Sequence, residues 1–203
     1  MLQYAVFIEP EGELNAFIIK QKSRVQTCHG CQPYGSHPPH CSLYVSALGE
    51  AETWMSLLER TVRSNTAFVL RVQGTVVFYN DAMTGGGHTL ALRAQRTDAL
   101  GALQACVSEA LAPYVDRKSI GNPSGFMAQE PYRASIVKYG YPFVGTHWIP
   151  HFTIASLLIP GDSPAIKAFE AQPVAFEQWV RSVSVWRIDN DRHERIATIG
   201  FGG

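Results

Sequence analysis

Pro39-His40-Cys41-Ser42-Leu43-Tyr44-Val45-Ser46-Ala47-Leu48 and Pro150-His151-Phe152-Thr153-Ile154-Ala155-Ser156-Leu157-Leu158 can be laid over one another. Each has a proline before a histidine, a small hydroxyl residue two positions on, and an apolar continuation of strand character. Successive side chains of a strand point to opposite faces, so His40 shares a face with Ser42, and His151 with Thr153. Such a repeat in one chain implies two similar halves that can turn their motif strands toward a common cleft. Taken singly, a histidine in a strand is usually structural, and Ser or Thr there is simply compatible with the pleat. The paired contexts carry the reading.

Two imidazoles and two hydroxyls facing one cleft suit phosphate chemistry without a metal. An unperturbed histidine titrates near 6.5, so one neutral ring can act as base and one protonated ring as acid. His40 and His151 are the candidate catalytic pair, and the motif leaves their acid and base roles open. Ser42 and Thr153 are the candidate donors to non-bridging phosphate oxygens, where charge accumulates as phosphorus is attacked. Tyr141, Phe143 and Trp148 precede the second motif and could stack a nucleobase, although aromatics beside a buried strand are commonly core. Tyr141 and Trp148 are the two taken as substrate-binding. Arg93, Arg133 and Lys138 are candidate phosphate cations. His88 and His147 lack the motif and read as peripheral.

Outward from the motifs, residues 1–8 read as a first strand and residues 12–24 as a short amphipathic helix. Residues 27–39, with Gly30, Pro33, Gly35, Pro38 and Pro39, form a loop delivering the chain to the first motif. A helix follows over 50–63. Strands over 68–80 and 88–94 are joined by a turn at Gly85-Gly86-Gly87, which lacks the pattern of a phosphate-binding loop. Asp98 caps a helix in which Leu100, Leu103, Val107 and Leu111 fall at helical spacing. Residues 117–125 are irregular, a short helix over 131–139 is closed by Gly140, and residues 165–171 are helical. Two last strands, 176–188 and 195–201, flank a loop at 189–194. Strands and helices in this irregular alternation predict an α+β fold of two similar lobes, each a small antiparallel sheet backed by helices.

The chain has 203 residues, enough for one bilobal domain over residues 1–203. Seventeen basic residues balance 17 acidic ones. Without net positive charge nothing drives binding of long duplex nucleic acid, and a small nucleotide or an RNA end fits better. The N-terminus lacks the basic start and apolar core of a signal peptide, and no stretch approaches the roughly 18 apolar residues of a membrane span. A cytoplasmic, monomeric protein with no membrane partner is expected. Four cysteines do not make a disulfide framework in a chain this long. Cys28, Cys31, His37 and Cys41 nonetheless have a spacing near that of a small zinc knuckle, which offers a competing reading as a zinc-stabilised interaction domain.

With its two His-x-(Ser/Thr)-x motifs, the chain resembles the two-histidine (2H) phosphoesterase superfamily, which includes 2′-5′ RNA ligase-like proteins and cyclic nucleotide phosphodiesterases. The resemblance implies a bilobal pseudo-twofold fold, with two antiparallel sheets lining a central groove and helices outside. It implies hydrolysis of a nucleoside 2′,3′-cyclic phosphate, a related ribose cyclic phosphate or a 2′-5′ linkage, with no cofactor and no metal. Tyr139-Gly140-Tyr141-Pro142-Phe143-Val144 is similar to a segment of a bacterial 2H branch, which keeps a sugar cyclic phosphate among the expected substrates. A non-catalytic nucleotide- or RNA-binding module of the same fold is the other alternative.

Overall fold

The computed structural model describes residues 2–120, 122–123, 125–190 and 192–202. Met1 of the predicted first strand, Gly121 and Ser124 of the predicted irregular stretch, and Asp191 of the predicted last loop lie outside them. In order, the chain forms β1 (Leu2–Ile8), α1 (Gly12–His29), β2 (Cys41–Ser46), α2 (Ala51–Arg63), β3 (Phe68–Asp81), β4 (Gly87–Ala94), α3 (Asp98–Leu111), α4 (Arg117–Ile120), α5 (Tyr132–Tyr139), β5 (His151–Leu157), α6 (Pro164–Glu170), β6 (Ala175–Val180), β7 (Ser182–Asp189) and β8 (Arg192–Gly200).

The strands pair in the order β6-β3-β4-β5-β2-β1-β7-β8, antiparallel throughout. The order is a near palindrome. Each four-stranded half has its motif strand innermost, and each motif strand pairs with the strand before the preceding helix, giving β1-α1-β2 in one half and β4-α3 leading to β5 in the other. The two predicted sheets are joined into one order by a single register pair, Cys41↔Phe152. Both are 0% exposed, because the face they share carries the apolar core.

Local rules account for most elements. In α1, Leu14, Ile18 and Gln21 are buried, and the helix continues past its predicted end to His29, where Gly30 at φ 70° turns the chain away. In α3, Leu100, Leu103, Val107 and Leu111 are at most 1% exposed, as their spacing requires. Its cap is Thr97 rather than Asp98: the Thr97 hydroxyl accepts from the Leu100 N–H, and Asp98 occupies the first turn. There a carboxylate favours the positive end of the helix dipole. The turn between β3 and β4 uses Gly85 at φ 73° and Gly86 at φ 91°, angles a side chain would disfavour.

The predicted strand 176–188 is two strands. β6 ends at Val180 on the edge beside β3, whereas β7 starts at Ser182 beside β1 in the other half. Val180 is buried at an even position and Val183 and Val185 at odd ones, a phase break at Arg181. Strong curvature of the sheet brings the two edges near each other at one end, with Gln178 of β6 bonded to the main chain of Glu9 and Glu11. Within the predicted loop 189–194, Arg192, His193 and Glu194 already pair with β7 as part of β8. Among the described residues no helix is long and apolar enough to cross a membrane.

Candidate active site

His40 immediately precedes β2, and His151 opens β5. Since Cys41 and Phe152 lie opposite each other on the core face, the residues flanking them share the other face. Antiparallel pairing then sets His40 on the side of Thr153, and Ser42 on the side of His151, so each imidazole stands by the hydroxyl of the other motif. Both motif strands also bulge at the same place. β2 passes Leu43 unpaired between Ser42↔Phe7 and Tyr44↔Val6, and β5 passes Ile154 between Thr153↔Ala91 and Ala155↔Leu90. A bulge after the hydroxyl residue resets the alternation, so that Leu43 and Tyr44, like Ile154 and Ala155, are all 0% exposed while the His and hydroxyl stay on the open face.

The imidazoles are held alike. Nδ1 of His40 lies 2.7 Å from the Pro38 carbonyl, and Nδ1 of His151 lies 2.7 Å from the Ile149 carbonyl. A carbonyl only accepts, so each Nδ1 carries the proton and each Nε2 is left for chemistry. His40 stacks on Phe7 at 3.9 Å between ring centroids, and His151 tilts against Phe78 at 4.8 Å. Neither hydroxyl, Ser42 or Thr153, is hydrogen-bonded to another described residue, which leaves both to act on a ligand.

Electrostatics separate the two histidines. Burial pushes His40 down to about 3, and the electrostatic influence of His37, Lys22 and His193 adds to it against the Pro38 hydrogen bond. Burial also lowers His151, but there the Ile149 hydrogen bond and the Asp81 carboxylate oppose the shift. Asp81, at the end of β3, is fixed by the Thr89 hydroxyl at 2.6 Å and the Met83 N–H at 2.9 Å.

Several of these groups carried no sequence signal. Beyond Phe152 the sheet opens between β5 and β2, and the loop after α1 fills the gap: the Ser156 N–H donates to the Pro33 carbonyl, and Lys22 donates to the carbonyls of Tyr34 and Ile154 at 2.8 and 2.9 Å. Burial lowers the Lys22 ammonium to about 8. Tyr34 is raised to about 12 by burial and by Asp81, and so keeps its hydroxyl proton. The His37 ring lies 4.4 Å from that of His193 on β8. These side chains come from four separate segments, which local pattern cannot bring together.

The two predicted substrate-binding aromatics are both engaged by protein contacts. Trp148 is 3% exposed, and its indole N–H donates to the Ser42 carbonyl at 3.0 Å. A ring so enclosed cannot present a face to a base. Tyr141 packs edge-on against Tyr44 and Phe143, and burial raises its hydroxyl with a contribution from Cys41. That places Tyr141 on the Cys41 side of β2, away from His40 and Ser42. Of the candidate cations, Arg93 lies opposite His151 in the β4–β5 register, whereas Lys138 and Arg133 are bound to Glu109 and Glu130. His147 donates from Nε2 to the Pro142 carbonyl, and His88 accepts the Asn80 N–H, both away from the motif strands' open face.

The zinc-knuckle reading is overturned. Cys28 and Cys31 are exposed at the end of α1, whereas Cys41 is sealed in the core against Phe152. Among the described residues no three His, Cys, Asp or Glu side chains converge as metal ligands.

A cavity of about 290 Å³ opens beside Pro150, the residue before His151, lined by Arg93, Arg96, Gln73, Gln95, Thr146, Ile149 and an edge of Trp148 among others.

The fold has close counterparts among solved structures. TT0787 of Thermus thermophilus superposes with a TM-score of 0.66 over 99% of this chain and 98% of its own, at 16% identity. LigT of E. coli complexed with 3′-AMP gives 0.58 over 100% and 99%, at 13% identity. A structure described as a phosphoesterase gives 0.55 over 99% and 98%, at 14% identity. No curated protein sequence matches the chain. The family model of the 2′-5′ RNA ligase superfamily matches residues 11–192, nearly the whole length and both His-x-(Ser/Thr) motifs; the chain belongs to that superfamily.

Proposed function

We propose that this protein is a metal-independent phosphoesterase that opens a nucleoside 2′,3′-cyclic phosphate, or a related ribose cyclic phosphate or 2′-5′ linkage, by acid–base catalysis between His40 and His151. The observation that carries this reading is the matched tethering of the two imidazoles. Each has Nδ1 bound to the carbonyl two residues back, on strands that meet at Cys41↔Phe152 with both hydroxyls alongside. LigT, which shares the fold, is solved with 3′-AMP, a ribose phosphomonoester of the kind such an opening would release.

His40, kept neutral by burial, is the general base, and His151, favoured as imidazolium by the Asp81 carboxylate, the general acid. Water attacks phosphorus in line and passes a proton to Nε2 of His40. The bond from phosphorus to a ribose oxygen breaks, and Nε2–H of His151 protonates that oxygen. Ser42 and Thr153 donate to the remaining oxygens as charge builds on them. Substrates are small nucleotides or RNA ends, bound by one copy of the chain in the cytoplasm.

The direct test is turnover of nucleoside 2′,3′-cyclic monophosphates in excess EDTA, with the product identified as the 2′- or 3′-phosphate. Hydrolysis that survives chelation is expected; activity abolished by EDTA and restored by a divalent cation would sink the mechanism.

The role assignment has its own check in the pH profile of kcat/KM, which reports the free enzyme. His40 is in its working form above about pH 3, and His151 works protonated, below a value itself under the ordinary 6.5. Activity should therefore rise as the pH falls through the weakly acid range. Asp81→Asn removes the charge favouring the imidazolium, so the alkaline limb should move to lower pH and the rate at pH 7 should drop several-fold, one pKa unit being about a factor of ten. An alkaline limb that stays in place would argue against His151 as the acid.

A further inference from the structure

We propose that the cavity beside His151 is a second phosphate subsite, so that the natural substrate carries, one ribose away from the scissile group, a further phosphate bound by Arg93 and Arg96. This deepens the phosphoesterase reading and rests on it for the identity of the scissile group. Arg93 stands directly opposite His151 in the β4–β5 register, which puts both side chains on the same face of the sheet. Arg96 follows on the loop leaving β4 and lines the same cavity.

Several arginines of this chain are neutralised where they lie. Arg71 pairs with Glu177, Arg195 with Glu9, and Arg187 with Glu194. Arg93 and Arg96 are exposed, are in no ion pair with a described residue, and line a cavity whose walls carry no carboxylate. Their guanidinium forks match phosphate oxygens in pairs, which a solitary surface charge does not need. Around them the cavity offers neutral polar groups. Gln95 donates to the Gln73 amide oxygen at 2.6 Å, which holds the Gln73 amide in place with its own N–H groups still to give, and Thr146 adds a hydroxyl.

The cavity also shares main chain with the tether of His151. Ile149, in its wall, supplies the carbonyl that tethers His151, and the Ala94 N–H locks the next carbonyl, that of Pro150, at 3.0 Å. His151 directly follows Pro150, itself in the cavity wall, so the ring and the cavity are joined by fixed main chain. That suits a nucleotide with phosphates on both sides of one ribose. The second phosphate is either a terminal 5′-phosphomonoester or the next internucleotide phosphate of an RNA end.

Calorimetric titration with adenosine 3′-monophosphate, adenosine 3′,5′-bisphosphate and the dinucleotide ApA bearing a 3′-phosphate tests this without turnover. The bisphosphate, the dinucleotide or both should bind about ten-fold or more tighter than the monophosphate, a factor that one charge-assisted contact supplies. A gain for the bisphosphate alone identifies the terminal phosphomonoester, and a gain for the dinucleotide identifies an RNA chain. In Arg93→Gln/Arg96→Gln that advantage should vanish, and in Arg93→Lys/Arg96→Lys part of it should remain. Equal affinities in the wild type, an advantage that survives the Gln substitutions, or an equal loss for all three ligands would overturn the subsite. The two readings fail separately. A retained bisphosphate advantage with no hydrolysis of any cyclic phosphate removes the activity but not the subsite, and turnover with no advantage does the reverse.

Discussion

His40→Ala and His151→Ala should each lower kcat/KM for a 2′,3′-cyclic phosphate on the order of 10²–10⁴-fold, the contribution of one positioned general acid or base. Each imidazole is tethered through Nδ1 and has Nε2 available, so truncation removes a proton carrier and little else of the site. The proposed mechanism uses both rings in one displacement, so the double variant should fall well short of the product of the single losses. Ser42→Ala and Thr153→Ala should lose less, because each removes one donor among several. His88→Ala and His147→Ala, whose rings are bonded to main chain away from the motif strands' open face, should stay within a few-fold of wild type. Melting curves separate chemistry from folding, since His40 also stacks on Phe7. Equal activity in the wild type and both motif variants would remove the site from these residues.

Trp148→Ala should destabilise the protein by about 3–5 kcal/mol, the usual cost of deleting a large aromatic side chain from a core. The indole is 3% exposed, and it also satisfies the Ser42 carbonyl at the centre of the first motif. For a chain of this length such a loss lowers Tm on the order of 10 °C. Trp148→Phe keeps most of the packing but leaves that carbonyl without its donor, about 1–3 kcal/mol. A base-stacking plate would behave oppositely, with KM raised and Tm unchanged. Thermal unfolding and KM measured on the same preparation decide between the two, and an unchanged Tm in Trp148→Ala would return the residue to the substrate.

The repeat in the sequence determined a good deal by itself. Alternation along a strand places His40 with Ser42 and His151 with Thr153 on one face whatever the surroundings, because the side-chain period of two is a property of the extended backbone. Helical spacing in the same local way made α3 legible, and glycine conformations made the β3–β4 turn so. Other features depended on which segments meet. Whether Tyr141 and Trp148 face the groove or the core turns on the side of β2 to which residues 141–148 fold; Trp148 is buried, and Tyr141, half-buried, packs against Tyr44. Val180 and Val183 look like one strand until the curved sheet hands the chain from one half to the other at Arg181. Lys22, Asp81 and His193 are distant in sequence, and nothing in their local patterns marks them; Lys22 and His193 act on His40, and Asp81 on His151, only once the folded chain brings them together. Backbone geometry is local and can be read from a stretch of chain. Burial and electrostatic fields are sums over neighbours that only the folded chain brings together, so the motif could name the two histidines while the tertiary structure set the different surroundings that act on each.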